Sequence, residues 1–137
     1  MHEVFEHTAD LGLRIKSPTL PALFVEAGQA LFELLIENFQ DVRPASTHSF
    51  QLSQPQLDLL LFDWLNELLY LFDSKHFVSC QFDVSYREGT LDAVIRGEPW
   101  DETRHHLDHE VKAVTYHRLK VEQRTDGTWL AEIIVDI

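Results

Sequence analysis

Val4-Phe5-Glu6-His7-Thr8-Ala9-Asp10-Leu11-Gly12-Leu13-Arg14-Ile15-Lys16 decides how this chain begins to fold. Leu11, Leu13 and Ile15 alternate with Gly12, Arg14 and Lys16, which is the period of a half-buried strand. Val4 and Phe5 form a second apolar piece on the other side of a polar junction. The stretch therefore reads as two short strands, 3–7 and 11–16. Between them lie an imidazole, a hydroxyl and a carboxylate, from His7, Thr8 and Asp10. Such a cluster at a strand junction serves as a turn, a metal site or a catalytic site.

Outward from there, Ser17-Pro18 breaks the chain. Thr19 is placed to cap a helix whose first turn tolerates Pro21. Leu20, Phe24, Ala27, Leu31 and Leu35 have helical spacing, so the helix runs over 20–37. Gly28 lies on this apolar stripe and costs about 1 kcal/mol relative to Ala, so another element is expected to approach closely there. A loop (39–47) and a short strand (49–52) follow. Ser53-Gln54-Pro55-Gln56 has the S-x-x-Q pattern of a capping box and opens a second helix over 57–73. Leu57, Leu61, Leu65, Leu68 and Phe72 form its stripe, flanked by Leu60, Trp64 and Leu71. Asp63, Asn66, Glu67 and Tyr70 fall on the opposite face, as expected for a solvated surface.

From Phe77 the period changes to two. Phe77, Cys80, Phe82, Val84 and Tyr86 lead to Glu88-Gly89, and Leu91, Ala93 and Ile95 return to Gly97-Glu98-Pro99, a hairpin. Residues 100–110 are polar and rich in histidine and read as a loop. Residues 111–121 read as one long strand, Asp126-Gly127 as a hairpin turn, and Trp129, Ala131, Ile133 and Val135 as a final strand. The expected fold is α+β: a single domain over 1–137, with a mostly antiparallel sheet covered by two helices.

Composition narrows the function. Hydrophobic residues make up 45% of the 137, enough for a sizeable core. Acidic side chains number 23 against 11 basic, a net charge of −12, which argues against direct high-affinity binding to nucleic acid. That balance suits a partner that is basic or bears metal. Cys80 is the only cysteine, so no intrachain disulfide forms, and a small buried hydrophobe is its simplest role. Met1-His2-Glu3 lacks the features of a signal peptide, and the apolar run 57–72 carries Asp58, Asp63, Asn66 and Glu67, against a membrane span. A cytoplasmic protein is expected.

Three constellations have possible chemistry. His105, His106 and His109, with Asp108, Glu98, Asp101, Glu110 and His117 near, offer ligands of the kind zinc or iron takes. A solvated polar loop, or surface histidines that sense pH, is the simpler reading. Thr115 and His117 project to one face of the expected strand and resemble a nucleophile and its base, but no oxyanion-forming element accompanies them. Asp10 closes the first strand and Asp136 lies near the end of the last, beside the oxygens of Ile137. Clustered oxygens suit Ca²⁺, Mg²⁺ or Mn²⁺ if those strands meet. On spacing alone, two surface aspartates are the simpler reading.

At this point several motifs coincide with one family. Phe5-Glu6-His7-Thr8-Ala9-Asp10-Leu11-Gly12, then Asp63 to Asp73 (DWLNELLYLFD), Gly97-Glu98, Val111-Lys112-Ala113-Val114-Thr115-Tyr116-His117 and Ile134-Val135-Asp136-Ile137 occur in the order found in archease. The chain resembles this accessory protein of the RtcB-type tRNA-splicing RNA ligase over nearly its whole length. The resemblance implies an α+β domain and a divalent-cation site made by Asp10, Asp136 and Ile137, with Ca²⁺ the first choice and Mg²⁺ or Mn²⁺ the alternatives. It implies no catalysis by the chain itself. The implied role is to promote guanylylation of the ligase and its multiple turnover. A chaperone-like effect on an RNA-modifying enzyme, or a metal-dependent hydrolase using Asp10, His7 and the 105–117 region, are the alternatives. His7 and Thr8 then become hydrogen-bonding support for the cation site.

Overall fold

The structure, a computed structural model, describes residues 1–7 and 10–137, apart from the His7 side chain. Strands β1 (His2–His7) and β2 (Asp10–Ser17) pair antiparallel, with His2 opposite Ile15 and His7 opposite Asp10. On β2, Leu13, Ile15 and Ser17 are buried while Arg14 and Lys16 face outward, the alternation the sequence carries. Phe5 lies opposite Gly12, and a Cβ at Gly12 would overlap the Phe5 ring. Gly12 is there to let that ring lie on the sheet.

Helix α1 (Leu20–Leu35) is capped as expected, with Thr19 Oγ1 accepting from Ala22 N at 3.3 Å. Its stripe is fully buried against β2, against β4 (Phe77–Arg87) and against α2 (Leu57–Lys75). Gly28 does admit a close neighbour: a Cβ there would press on the Phe82 ring at 3.0 Å and on Leu68 at 3.2 Å. The capping box before α2 does not form. The N-cap is Gln56, without a side-chain cap bond, while Ser53 ends β3 (Ser46–Ser53) and its hydroxyl meets Thr90 Oγ1. The strand ladder took the residue that the local pattern assigned to the helix.

The strands divide into two antiparallel sheets. One has the order β3-β5-β4, with β5 (Thr90–Pro99) central and Glu88 and Gly89, both at positive φ, turning β4 into β5. In β4 the register shifts between Ser79 and Gln81, so Cys80 is the extra residue of a bulge. This explains why the apolar spacing from Phe77 to Cys80 is three and not two. It also leaves Cys80 half-buried, a correction to its reading as a core residue. Gly97 sits beside the bulge, where a Cβ would overlap the Val78 carbonyl.

The other sheet contains β1, β2 and β8 (Trp129–Asp136) in that order, with two short strands on the free edge of β8. The segment expected as one strand over 111–121 is two strands, β6 (Ala113–Val114) and β7 (Lys120–Gln123). Val114 pairs with Val135 but Val121 with Ala131, so the intervening chain is extruded between them. The break carries Tyr116 out to stack on Phe62 of α2, with centroids 4.0 Å apart and rings 15° from parallel. Arg118 turns back at φ 55°. The buried residues Val111 and Val114 are three apart, which period-two spacing cannot supply.

Both helices touch strands of both sheets, so one core joins all the layers. Trp64 is fully buried at its centre, and its indole N–H donates to the Phe24 carbonyl at 2.8 Å. Among the described residues, no helix is long and apolar enough to cross a membrane.

Candidate functional site

Asp10 opens β2, the second strand, and does not close the first as the sequence suggested. Its partner across the ladder is Asp136 of β8. The outward face of this strand pair is a short column of facing residues. Arg14 faces Glu132 and binds it through Nε at 2.9 Å, while its Nη1 reaches Glu3 at 2.7 Å. The guanidinium also lies 4.7 Å from the centre of the Phe5 ring. Gly12 faces Ile134 next, and then Asp10 faces Asp136. The first pair is compensated; the last is two carboxylates. Among the described residues, no Lys or Arg forms an ion pair with either.

Like charges directly opposite on an antiparallel pair cost up to about 1 kcal/mol. Asp136 is further fixed by β6: it faces Ala113, and its carbonyl accepts from Lys112 N at 2.7 Å. Ile137 follows, its side chain packed against the core. The arrangement thus brings Asp10 and Asp136 together on one face, at the end of a strand pair, with Ile137 adjoining. Two facing carboxylates and a main-chain oxygen are hard donors, the chemistry that suits Ca²⁺, Mg²⁺ or Mn²⁺. The support expected from His7 and Thr8 lies outside the described residues.

The histidine-rich loop has a structural explanation. Helix α1 lacks a glycine after its last turn, and its end is capped from this loop. Asp108 N donates to Leu35 O and His109 N to Leu34 O, both at 2.9 Å, and Glu37 N donates to His106 O at 2.8 Å. His105 is buried, and its Nδ1 accepts from Asp101 N at 2.9 Å. The ring proton therefore sits on Nε2, which lies 3.2 Å from a Glu98 carboxylate oxygen. Among the described residues, no group of three or more His, Cys, Asp or Glu is arranged to hold a metal ion. Thr115 is likewise occupied: its hydroxyl donates to Ile134 O at 3.0 Å and accepts from His117 N at 3.3 Å. It lies just past the end of β6, and its hydroxyl serves the backbone and not a catalytic pair.

Glu98 is the charged centre that the spacing did not reveal. It is 7% exposed, yet burial, which would raise its carboxyl, is outweighed by bonds from the Arg104 guanidinium and from Arg43 N at 2.6 Å, with the His105 ring beside it. Together they hold it down to about 2. Arg104 also reaches the Asp41 carbonyl at 3.1 Å, so Glu98 ties the loop after α1 to the histidine loop. The sequence signal was Glu98 following Gly97 at the end of the strand whose apolar residues are Leu91, Ala93 and Ile95.

Comparison with known proteins agrees with this architecture. The archease protein family (MTH1598/TM1083) matches residues 2–137. Protein archease of Methanopyrus kandleri is 41% identical, the alignment covering 98% of each chain. Protein archease of Pyrococcus furiosus is 34% identical over 98% of this chain and 97% of its own. The solution structure of Methanobacterium thermoautotrophicum protein 1598 superposes with a TM-score of 0.87, at 31% identity, over 99% of this chain and 98% of that one. A Thermotoga maritima crystal structure, described as an archease and possible chaperone, shares the fold with a TM-score of 0.69 at 22% identity. It covers all of this chain and 98% of its own. With the family pattern spanning the whole sheet-and-helix core, this chain belongs to the archease family.

Proposed function

We propose that this chain is a non-catalytic accessory protein that activates an RtcB-type RNA ligase, and that it does so with a divalent cation held by Asp10, Asp136 and Ile137. The supporting observation is the direct pairing of Asp10 with Asp136 across β2 and β8, two carboxylates without a basic partner among the described residues. Ca²⁺ is the first choice, with Mg²⁺ and Mn²⁺ next, because the donors are carboxylate and main-chain oxygens. When bound, the cation supplies positive charge that offsets the facing carboxylates. Asp10 and Asp136 hold it from adjacent strands, and the Lys112 N–H bond to the Asp136 carbonyl fixes one side of the site.

The net charge of −12 supports a protein partner over direct binding to nucleic acid. An acidic strand end can approach a centre on the ligase that carries metal or binds nucleotide phosphates together with cations. The test is guanylylation of a cognate ligase, followed by ligation at substoichiometric ligase, with the wild type and with Asp10→Ala and Asp136→Ala variants shown to be folded. Stimulation by the wild type and its loss in both variants is expected. Full stimulation by either variant overturns the role of the aspartates. Turnover of phosphoesters by the isolated chain overturns the non-catalytic reading.

A further inference from the structure

A concave site lies where the C-terminal ends of both helices converge, its lining ending at Val111, one residue before the Lys112 that bonds Asp136. It is a cavity of about 360 Å³. Phe72 and Trp100 line its apolar part, meeting edge to face with centroids 6.3 Å apart. Asp73, Asp108 and Glu110 line its polar part, together with His76 and His109. Among the described residues, no lysine or arginine lines it. We propose that this cavity receives an arginine side chain presented by a partner protein.

Four features favour a planar cation there. Aromatic faces attract guanidinium groups. Three carboxylates around one opening exceed what the site itself neutralises, and a fork of N–H donors suits them. The walls include the last turns of α1 and α2, whose C-termini carry partial negative charge. Burial, joined by the charge of Glu110, already pushes the Asp73 carboxyl upward, so an incoming cation relieves a real penalty.

The walls are also set in advance. Trp100 N donates to His76 O at 2.7 Å, and the His105 ring packs 5.3 Å from the Trp100 ring. Asp108 and His109 are pinned to the end of α1 by their backbone bonds to Leu35 and Leu34. A preformed pocket spares the binding reaction much of its ordering cost.

The inference does not depend on the cation at Asp10, and its test is kept apart by including a chelator. The chain, labelled with ¹⁵N, is titrated with N-acetyl-arginine amide and followed by amide and indole resonances. Saturable shifts at Trp100 and residues 107–111 are expected, unchanged in an Asp10→Asn background. Neutral N-acetyl-citrulline amide is expected to produce none. The double variant Asp73→Asn/Glu110→Gln, its fold checked by the same spectra, is expected to bind about tenfold more weakly or worse. Shifts that fail to saturate, that centre on Asp136, or that survive the double variant overturn the proposal. Equal binding of citrulline or of N-acetyl-lysine amide overturns the choice of guanidinium.

Discussion

Replacing Asp10 with Asn gives a prediction whose sign reverses with the metal content of the buffer. Asn keeps the shape of the side chain and removes one of the two charges that face each other across β2 and β8. In the metal-free protein this relieves a like-charge pair worth about 0.5–1 kcal/mol. For a chain of this length that is about 2–4 °C in Tm. With cation about a hundredfold above its Kd, the wild type gains about 2.7 kcal/mol by mass action. At the same conversion its Tm rises by about 11 °C, whereas the variant rises by little. The two melting curves should therefore exchange order: Asp10→Asn above the wild type in chelator, below it in Ca²⁺. Circular-dichroism melts in both buffers measure this directly. Asp136→Asn should behave alike, and the double variant should add almost nothing to the loss of the cation effect, since either change dismantles the same site. A wild-type Tm indifferent to Ca²⁺, Mg²⁺ and Mn²⁺ refutes the cation site. A variant that is less stable than the wild type in chelator refutes the like-charge account.

Other consequences follow from the buried polar centre and the core. The Glu98 carboxyl is held at about 2, below its ordinary 4.5. Its stabilising effect is thus complete above about pH 4.5 and is lost as pH falls towards 2. Glu98→Gln should cost on the order of 2 kcal/mol at neutral pH and flatten the acid limb of stability against pH, measured by urea unfolding. Trp64→Phe removes the donor to the Phe24 carbonyl and leaves a void in the core, so urea unfolding should show a loss of about 2–3 kcal/mol with an unchanged m-value. Gly97→Ala forces a methyl into the Val78 carbonyl at the β4 bulge. It should cost about 3 kcal/mol or more, with amide exchange in β4 and β5 accelerating before that in β2 and β8.

Where local physics and tertiary packing agree, the sequence was legible. Thr19, the apolar stripe of α1 and the Glu88-Gly89 turn each carry one dominant signal, and the structure has each of them. Where two local options compete, spacing misled. Ser53 is a good helix cap, but its place in the β3 ladder opposite Thr90 wins. Residues 111–121 alternate well enough for one strand, but stacking of Tyr116 on Phe62 draws the middle out of register. The histidine loop shows the reverse effect. Its composition suggested metal ligands, yet its backbone is engaged in capping α1, a role that composition does not encode.

The aspartate pair could be named from the sequence, but spacing could not show that its members meet. Asp10 and Asp136 lie almost at opposite ends of the chain, and no local rule relates them. Only the registry of β2 with β8 does, and that registry is fixed by the buried faces: Leu11 opposite Val135, Leu13 opposite Ile133, Ile15 opposite Ala131. A slip of one residue would turn those side chains out of the core. The same hydrophobic alternation that made the opening stretch readable as a strand therefore also sets the two carboxylates face to face. It follows that cation affinity should be lost with unfolding of the β2–β8 pair, or of β6 where it faces Asp136, and not with fraying of the short β7, which pairs with residues 129–132 of β8 only. Hydrogen exchange with and without Ca²⁺ checks this: protection should rise most in β2 and β8. A rise confined to β7 and the segment before it would show that the cation is held elsewhere.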